Sequence, residues 1–441
     1  MASVFELSCD FRHVDNGVAC CIIKLFDQIE NWGECVAAIE LSDIAANSGG
    51  FVINGQCADD HSGWSVSAAG DINGDGLGDL IVGAWKGDPT TGVDAGRSYV
   101  VFGKTGSGAV DLAVIAAGSD GFVINGQSAN DYSGWSVAGT GDINGDGLAD
   151  LIVGAPWSNL AGANHVGRSY VIFGRTGNAP IDLSAIAAGN GGFVINGHCA
   201  DDQSGHSVAG AGDINGDGLA DLIVGAYGSD PAAGNEAGRS YVIFGKTNSN
   251  AVDLSAVAGG NGGFIVNGQS AGDESGRSVA AAGDVNGDGL GDLIVGALHG
   301  NPAAGASAGR SYVVFGRSDG ATVDLSVVAG GSGGFVINGQ CASDHSGSSV
   351  AGAGDVNGDG LADLIVGAYR SDPASGVDAG RSYVVFGKNG SGPVNLSAVA
   401  AGNGGFVING ESADDGSGLT VAAAGDINGD GLGDLLVGSP G

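Results

Sequence analysis

The chain has 441 residues, of which 89 are glycine, and its 15 basic and 49 acidic residues give a formal net charge of −34 at pH 7. That charge repels nucleic acid and anionic membrane surfaces, so the composition argues against both as partners. No run of residues is long and apolar enough to span a bilayer, and residues 1–16 lack the basic and apolar regions of a signal peptide, so the sequence does not explain an export route.

Residues 1–45 stand apart from the rest of the chain, because they lack the repeat that fills it. Two structures are predicted for the part that begins at residue 18. Residues 18–23 have strand character and can supply a third strand to a blade completed by both ends of the chain. Apolar residues from Ile22 to Ile39 also follow helical spacing, so an amphipathic helix over residues 18–40, covering an open sheet edge, is the alternative.

Residues 46–441 are predicted to form one domain made of six repeats of 71 residues. Each copy contains short apolar segments bounded by glycine, the pattern of β-strands joined by tight turns. A connector with one helical turn is predicted between the third and fourth strands. In the first copy the strands are predicted at 64–69, 80–84, 98–102 and 122–125, and the connector at 110–116.

An acidic loop lies between the first and second strands of every copy, beginning in the first copy at Asp71. Oxygen-bearing side chains occupy loop positions 1, 3, 5 and 9, and glycines at positions 4 and 6 let the backbone curl so that these oxygens face one centre. This is the donor set of a hard cation. The predicted metal ligands are Asp71, Asn73, Asp75, Asp79, Asp142, Asn144, Asp146, Asp150, Asp213, Asn215, Asp217, Asp221, Asp284, Asn286, Asp288, Asp292, Asp355, Asn357, Asp359, Asp363, Asp426, Asn428, Asp430 and Asp434.

The loop favours Ca²⁺, with about six ions for the six copies. Mg²⁺ demands a smaller octahedron and keeps its waters. An EF-hand needs glutamate at position 12, where every copy has a valine such as Val82. The alternative is an Asx-rich hairpin turn without an ion, since Asn-Gly and Asp-Gly are common turn formers. Six complete copies favour the metal site.

The repeat predicts an all-β fold. Four antiparallel strands joined by short turns cannot enclose a core alone, so neighbouring copies must pack face to face. Radial packing gives a six-bladed β-propeller of four-stranded antiparallel blades. A seven-bladed ring or a fragment of a longer array is the alternative, and a linear β-solenoid is disfavoured because its repeats are usually shorter.

Three segments around the acidic loop resemble a known family: SGWSV at 62–66, LIVGA at 80–84 and GRSYVVFG at 96–103. They look like the FG-GAP repeat of integrin α-subunit propellers and related bacterial proteins, and the resemblance covers about nine-tenths of the chain. It departs at the phenylalanine of the name, which is serine in all six copies, and at the proline, present only as Pro156 and Pro440. The resemblance implies Ca²⁺ bound between the first two strands of a blade and ligand binding on the opposite face.

Comparison of the six copies points to the same opposite face. The first strand runs into the acidic loop and the second runs out, so the start of the first and the end of the second lie away from the loops. These two positions vary most between copies, and mixed aromatic and polar groups at a propeller mouth are typical of recognition surfaces; neutral variation in loops is the alternative. The predicted ligand-binding residues are Trp64, Trp135, His206 and Arg277 after the Ser-Gly pair, and Trp85, Tyr227 and Tyr369 after the second strand.

Two further sets of recurring residues are interpreted as structural. The arginines of the Gly-Arg-Ser-Tyr segment are expected to bind a carboxylate or carbonyls between strands. Three cysteines at one repeat position are expected to be small buried fillers without disulfides. These residues are Arg97, Arg168, Arg239, Arg310 and Arg381, and Cys57, Cys199 and Cys341.

The sequence therefore predicts a calcium-binding propeller that serves as a ligand-binding or adhesion module outside the cell or at its surface. Its partner is a protein or glycan, without membrane insertion, and the chain is a monomer or part of a larger assembly. No serine or cysteine stands in a nucleophile motif, so no enzyme is predicted. A hydrolase hosted by the propeller, and a structural element of a large surface protein, are the alternatives.

Overall fold

The structure is a computed structural model that describes residues 4–7, 20–24, 44–45 and 50–440. These residues form seven sheets, and five of them contain a full set of four antiparallel strands from one repeat. We call these sets blades 1 to 5 and the sheet of the last repeat blade 6. The fold is the predicted all-β propeller built from six repeats.

Within a blade, consecutive strands pair in order, so that the second strand lies between the first and the third. The bounds differ from the predicted ones by at most two residues in the first copy. The strands are Ser62–Gly70, Asp79–Ala84, Arg97–Val101 and Gly121–Asn125 in blade 1; Ser136–Gly141, Asp150–Ala155, Arg168–Ile172 and Gly192–Asn196 in blade 2; Ser207–Gly212, Asp221–Ala226, Arg239–Ile243 and Gly263–Asn267 in blade 3; Ser278–Gly283, Asp292–Ala297, Arg310–Val314 and Gly334–Asn338 in blade 4; and Ser349–Gly354, Asp363–Ala368, Arg381–Val385 and Gly405–Asn409 in blade 5.

The connector between the third and fourth strands contains a short strand and one helical turn. In the first copy the Asp111 carboxylate accepts a hydrogen bond from the Ala113 N–H at 2.9 Å and so caps the helix. The helices are Leu112–Ala116, Leu183–Ala187, Leu254–Ala258, Leu325–Ala329 and Leu396–Ala400. The short strands before them are Val110–Asp111, Ile181–Asp182, Val252–Asp253, Val323–Asp324 and Val394–Asn395.

Each short strand pairs in parallel with the fourth strand of the preceding copy, which joins neighbouring blades. Ile181–Asp182, for example, forms the outer edge of blade 1. Asn125 Nδ2 donates to Asp182 Oδ1 at 3.0 Å beside this pairing. The sheets of blades 1 to 4 thus each contain residues of two repeats.

The last repeat supplies Thr420–Gly425 and Asp434–Gly438 to blade 6. Val4–Leu7 pairs in parallel with the second of these strands. Cys20–Lys24 pairs antiparallel with Gly50–Asn54, with Cys20 opposite Asn54 as Arg97 is opposite Asn125 in blade 1. The helix proposed over residues 18–40 is therefore wrong for Cys20–Lys24, where strand pairing holds the backbone extended, and the rest of it lies outside the described residues.

The core lies between blades, because blades 2 to 5 are each packed against a neighbouring blade on both faces. Successive side chains of a strand point to opposite faces. Accordingly Ile81 packs in a cluster with Val137 and Leu151 of blade 2, whereas the adjacent Val82 packs in another cluster with Ile53. This explains why the second strands are apolar at nearly every position instead of alternating.

Candidate functional site

The acidic loops are closed by hydrogen bonds from their own backbone. In the first loop Asp71 Oδ1 accepts from the N–H groups of Gly74 at 2.7 Å and Asp75 at 3.1 Å, and Asp71 Oδ2 accepts from Gly76 at 2.9 Å. Gly74 and Gly76 have φ of 78° and 87°, the left-handed region that glycine adopts without strain. The same bonds recur in the other five loops.

The aspartate at loop position 9 ties the loop to the blade. Asp79 is 1% exposed, and its Oδ2 accepts from the Ile72 N–H at 3.0 Å while its Oδ1 accepts from the Gly103 N–H at 2.7 Å. The equivalent Asp150 makes the same two bonds, and burial raises the pKa of its carboxyl to about 6. This position therefore holds the loop to the turn after the third strand.

The remaining side chains fit a hard cation. Asn73 and Asp75 lie at the outer side of the loop, with Asn73 Nδ2 2.9 Å from Asp75 Oδ2. Asp71 and Asp75 place two carboxylates within one short turn, and each carboxylate oxygen has a second lone pair beyond the one that an N–H occupies. Oxygen donors crowded in this way are the ligands that Ca²⁺ prefers.

The acidic loops also touch the next blade. The backbone carbonyl of Asp71 accepts from the Ala149 N–H at 3.1 Å, and the carbonyl of Ile72 accepts from the Arg175 N–H at 2.8 Å. Both donors belong to blade 2. Equivalent bonds link the loops of blades 2 to 5 to their neighbours. Each of these loops is therefore a contact between two blades as well as a turn within one.

The opposite face carries a continuous series of aromatic rings across blades 1 to 3. The Trp64 ring lies 5.1 Å from that of Trp135, and Trp85 lies 5.1 Å from Trp135. His206 lies 5.6 Å from Trp135 and 4.6 Å from Tyr227. The structure thus brings together five of the predicted ligand-binding residues, from three different blades.

The series continues into a charged group on blades 3 to 5. The Arg277 guanidinium lies 5.2 Å from the centre of the Tyr227 ring, and its Nη1 lies 2.7 Å from Glu274 Oε2. Glu274 Oε1 is 3.7 Å from His299 Nε2, whose ring lies 5.2 Å from that of His345. The seventh predicted residue, Tyr369, closes the series, with its hydroxyl 3.3 Å from His345 Nδ1.

We call this whole series the variable band: Trp64, Trp85, Trp135, His206, Tyr227, Arg277 and Tyr369 from the sequence prediction, with His61, Tyr132, Trp157, Glu274, His299 and His345, which that prediction missed. A groove of about 470 Å³ lies at its end, lined by Tyr369, Arg370, Asp378, Asp414, Asp415, Gly416, Leu419 and Pro440.

The missed residues share two repeat positions. His61, Tyr132, Glu274 and His345 directly precede the Ser-Gly pair. Their φ angles of 52–54° lie in the left-handed region that bulky side chains rarely adopt. Trp157 and His299 follow the second strand by two residues. Comparing the copies at the residue before the Ser-Gly pair and at the second residue after the second strand would have found both positions, because they vary as strongly as the predicted ones.

Two polar atoms of the variable band lie enclosed without a partner among the described residues, Trp85 Nε1 and His206 Nδ1. Burial lowers the pKa of His206 to about 4, and the Arg277 charge acts in the same direction. His206 is therefore neutral at physiological pH.

The repeats that build both faces identify the family. The family described as "FG-GAP repeat" matches residues 62–101, 133–172, 204–243, 275–314, 346–385 and 417–441, together just over half of the chain. The chain belongs to the FG-GAP repeat family. Among the residues that the structure describes, this FG-GAP protein has no helix long and apolar enough to cross a membrane.

The FG-GAP protein resembles two kinds of curated protein. It is 34% identical to "Integrin alpha pat-2" of Caenorhabditis elegans over 255 residues, which are 56% of this chain and 18% of that protein. It is 31% identical to "Integrin alpha-V" of Gallus gallus over 245 residues, 54% of this chain and 20% of that protein. It is also 35% identical to "Phosphatidylinositol-glycan-specific phospholipase D" of Bos taurus over 168 residues, 37% of this chain and 18% of that protein. The chain spans about a fifth of the length of these relatives.

One structural expectation about the recurring residues is wrong and another is refined. Cys57, Cys199 and Cys341 are free, as predicted, but exposed; they lie in the surface turn after the fourth strand, where no neighbouring blade covers them. The arginines bind amide and backbone oxygens: Arg97 donates to Gln56 Oε1 at 3.2 Å and to the Asp88 carbonyl at 3.1 Å.

Proposed function

We propose that this FG-GAP protein is a calcium-stabilised propeller that binds a protein or glycan ligand on the variable band, outside the cell or at its surface. The observation that carries the proposal is the continuity of the band. Side chains from five blades contact one another in series on the face away from the acidic loops, although the repeats differ at just these positions. A conserved framework that presents a varied, connected surface is the arrangement of a recognition module.

The composition of the variable band supports binding. Tryptophan, tyrosine and arginine dominate the binding energy of most interfaces, since they combine large apolar area with a polar group. Trp64 is 46% exposed although it contacts two other indoles. Indole faces suit the apolar faces of sugar rings as well as protein side chains.

The acidic loops would supply the calcium-binding sites. All 24 predicted ligand residues recur with one loop geometry, and the loops lie at blade contacts. A cation there neutralises clustered carboxylates and so stabilises the joint between two blades. Since the unfolded chain has no preformed site, binding energy adds to the free energy of unfolding.

A binding screen tests the proposed ligand site. Extracellular-matrix proteins and polysaccharides are immobilised and probed with the protein in Ca²⁺ by surface plasmon resonance. Trp64→Ser combined with Trp135→Ser gives the side chain that blade 5 has at this position, Ser348. We expect a partner that binds the wild type and loses at least about tenfold in affinity with this variant.

The control removes an exposed apolar side chain from the other face. Leu77 is 38% exposed in an acidic loop, and Leu77→Ser should leave binding unchanged. Equal binding by the wild type and the double tryptophan variant would overturn the assignment of the band. Association of the protein with itself, without any partner in the screen, would favour the structural role instead.

A hydrolase is the second candidate, because the variable band contains a carboxylate and two histidines in contact. Glu274, His299 and His345 lie in series, with Tyr369 beside them. Such groups can act as general acid and base. The resemblance to a phospholipase D covers 168 residues.

The hydrolase candidate is tested with phosphodiester and ester substrates. His345→Gln gives the residue that blade 3 has at this position, Gln203, so the variant should fold. Turnover by the wild type that falls at least about a hundredfold in this variant would establish the activity. No turnover by a correctly folded wild type, or turnover unchanged in the variant, would reject it.

A further inference from the structure

One copy of the repeat brings together three metal-binding side chains far from any acidic loop. His198, Cys199 and Asp202 lie between the fourth strand of blade 2 and the first strand of blade 3. A ring nitrogen of His198, the Cys199 Sγ and a carboxylate oxygen of Asp202 all lie within 4.8 Å of one another. Cys199 is exposed and Asp202 is 3% exposed, so the group has one open side and one anchored side.

The other copies lack part of this set. The position of His198 holds Gln56, Gln127, Gln269, Gln340 and Glu411, and the cysteine recurs in two copies as Cys57 and Cys341. The aspartate recurs in every copy. The third copy is the one in which imidazole, thiol and carboxylate stand together. The chain therefore contains its own near-identical comparison sites with a single residue changed.

Neighbouring groups hold the three side chains in place. The Cys199 N–H donates to Asp202 Oδ2 at 3.0 Å, which fixes the carboxylate beside the thiol. The Tyr241 hydroxyl lies 3.2 Å from His198 Nδ1. Ligand orientation by such secondary hydrogen bonds is a regular feature of metal sites.

Replacement of glutamine by histidine also frees this position from its usual partner. In blade 5 Arg381 Nη1 donates to Gln340 Oε1 at 3.0 Å. Arg381 also donates through Nε to Asn409 Oδ1 at 3.0 Å, and in blade 3 the equivalent Arg239 keeps this bond, to Asn267 Oδ1 at 2.9 Å. Within the described part of the chain, Arg239 makes no hydrogen bond to His198. An imidazole beside an arginine that bonds elsewhere remains available to a cation.

We propose that His198, Cys199 and Asp202 form a site for a borderline divalent metal ion such as Zn²⁺. Nitrogen, sulfur and oxygen donors together match Zn²⁺, whereas the oxygen-only acidic loops match Ca²⁺. Tetrahedral Zn²⁺ with bonds of about 2.0–2.3 Å places its ligand atoms about 3.3–3.8 Å apart, so the three atoms need to close by about 1 Å. Water takes the fourth position on the exposed side.

Cobalt is the probe for the test, because a thiolate bound to Co²⁺ gives a near-ultraviolet charge-transfer band that oxygen ligands do not give. Co²⁺ is titrated into the protein with Ca²⁺ in excess to occupy the acidic loops, and Zn²⁺ is then added in competition. We expect one thiolate-bound Co²⁺ per chain, displaced by Zn²⁺. His198→Gln should weaken Co²⁺ binding at least about tenfold, and Cys199→Ser should remove the band.

The comparison sites allow a test in which a second metal site is created. Gln340→His places a histidine beside Cys341 and Asp344 and should raise the number of thiolate-bound Co²⁺ ions from one to two. His165 forms a separate pair with Asp201, its Nδ1 lying 3.3 Å from Asp201 Oδ1, and His165→Asp, the residue of blade 1, should leave the band unchanged. Absence of the band from the wild type, or its full persistence in Cys199→Ser, would overturn the site, and neither result bears on the variable band.

Discussion

The Ser65 hydroxyl accepts a hydrogen bond at 3.0 Å from the backbone N–H of Val137, which lies in the next blade. The same bond recurs at four further blade junctions, from Ser136 to Val208 through Ser349 to Val421. The first strands of neighbouring blades are thus joined by a serine that five repeats share, and the sixth repeat has Thr420 at this position. This serine therefore forms a hydrogen bond that connects neighbouring blades.

Removing one such hydroxyl should destabilise the protein. Ser136→Ala leaves the Val208 N–H without its partner between two blades, and we expect a loss of about 1–2 kcal/mol in the free energy of unfolding. Urea denaturation measures it. Ser184→Ala, at an exposed helix position, is the control and should change stability little. Equal effects of the two changes would show that the hydrogen bond between the blades does not contribute to the free energy of unfolding.

Calcium removal should lower the melting temperature. With about six sites that exist only in the folded chain, chelation by EGTA should lower it by about 10 °C or more. Differential scanning calorimetry with and without the chelator gives the shift. An unchanged melt in excess EGTA would mean that the acidic loops are turns held by their own hydrogen bonds.

Calcium stoichiometry tests the individual loops. Asp75→Asn, Asp146→Asn and Asp217→Asn together keep a hydrogen-bonding oxygen at loop position 5 and remove three charges, so titration calorimetry should find three fewer calcium ions. The control removes the same number of charges outside the acidic loops, by changing the exposed Asp59, Asp120 and Asp414 to asparagine. This variant should bind the full number of calcium ions. A full complement in the loop variant would show that these ligands are misassigned.

Acid should lower the free energy of unfolding through the titration of His206. Its pKa is lowered to about 4 in the folded chain, so between about pH 6.5 and 4 the unfolded chain binds a proton that the folded chain does not. Stability that is present above pH 6.5 is therefore lost as the pH falls, by about 3 kcal/mol at pH 4. His206→Ser should show a shallower loss in denaturation experiments across this range. Parallel pH profiles for the two proteins would contradict the assignment.

Trp135 connects the aromatic part of the variable band, contacting Trp64, Trp85, Trp157 and His206 at ring separations of 4.7–5.6 Å. Trp135→Ser should therefore reduce near-ultraviolet circular dichroism by more than one of the chain's five tryptophans contributes on average. Far-ultraviolet circular dichroism checks that the strands persist. A proportionate loss of about one-fifth would mean that the rings do not interact.

The regular part of the molecule could be predicted from sequence because every copy repeats the same evidence. Strands, the helical connector and the two faces followed from glycine spacing and strand direction. The two-residue parallel strands, such as Ile181–Asp182, could not, because a pair of residues carries no periodicity and pairs with another repeat. The metal ligands of the acidic loops remain a prediction, since their geometry suits both a turn and a cation.

Irregular features were harder to predict. Cys199 was interpreted as a buried filler because small apolar residues usually fill cores, yet its turn lies on the surface. The His198 group occurs once, so comparing copies for shared residues hides it. Six residues of the variable band were not predicted, because they lie beyond the two variable positions at the strand ends. His61 precedes the invariant Ser-Gly pair, and Trp157 lies one residue beyond the compared position.

The carbonyl of Asp71 binds the N–H of Ala149, so the acidic loop is fastened to the blade that follows it. Pulling two blades apart must strain this loop before either blade loses its own strand pairs. The loops therefore share the mechanical load between blades with the buried side chains, the short parallel strands and the serine bonds. If calcium occupies the loops as proposed, its removal would loosen one of these connections and leave the strand pairs within each blade intact.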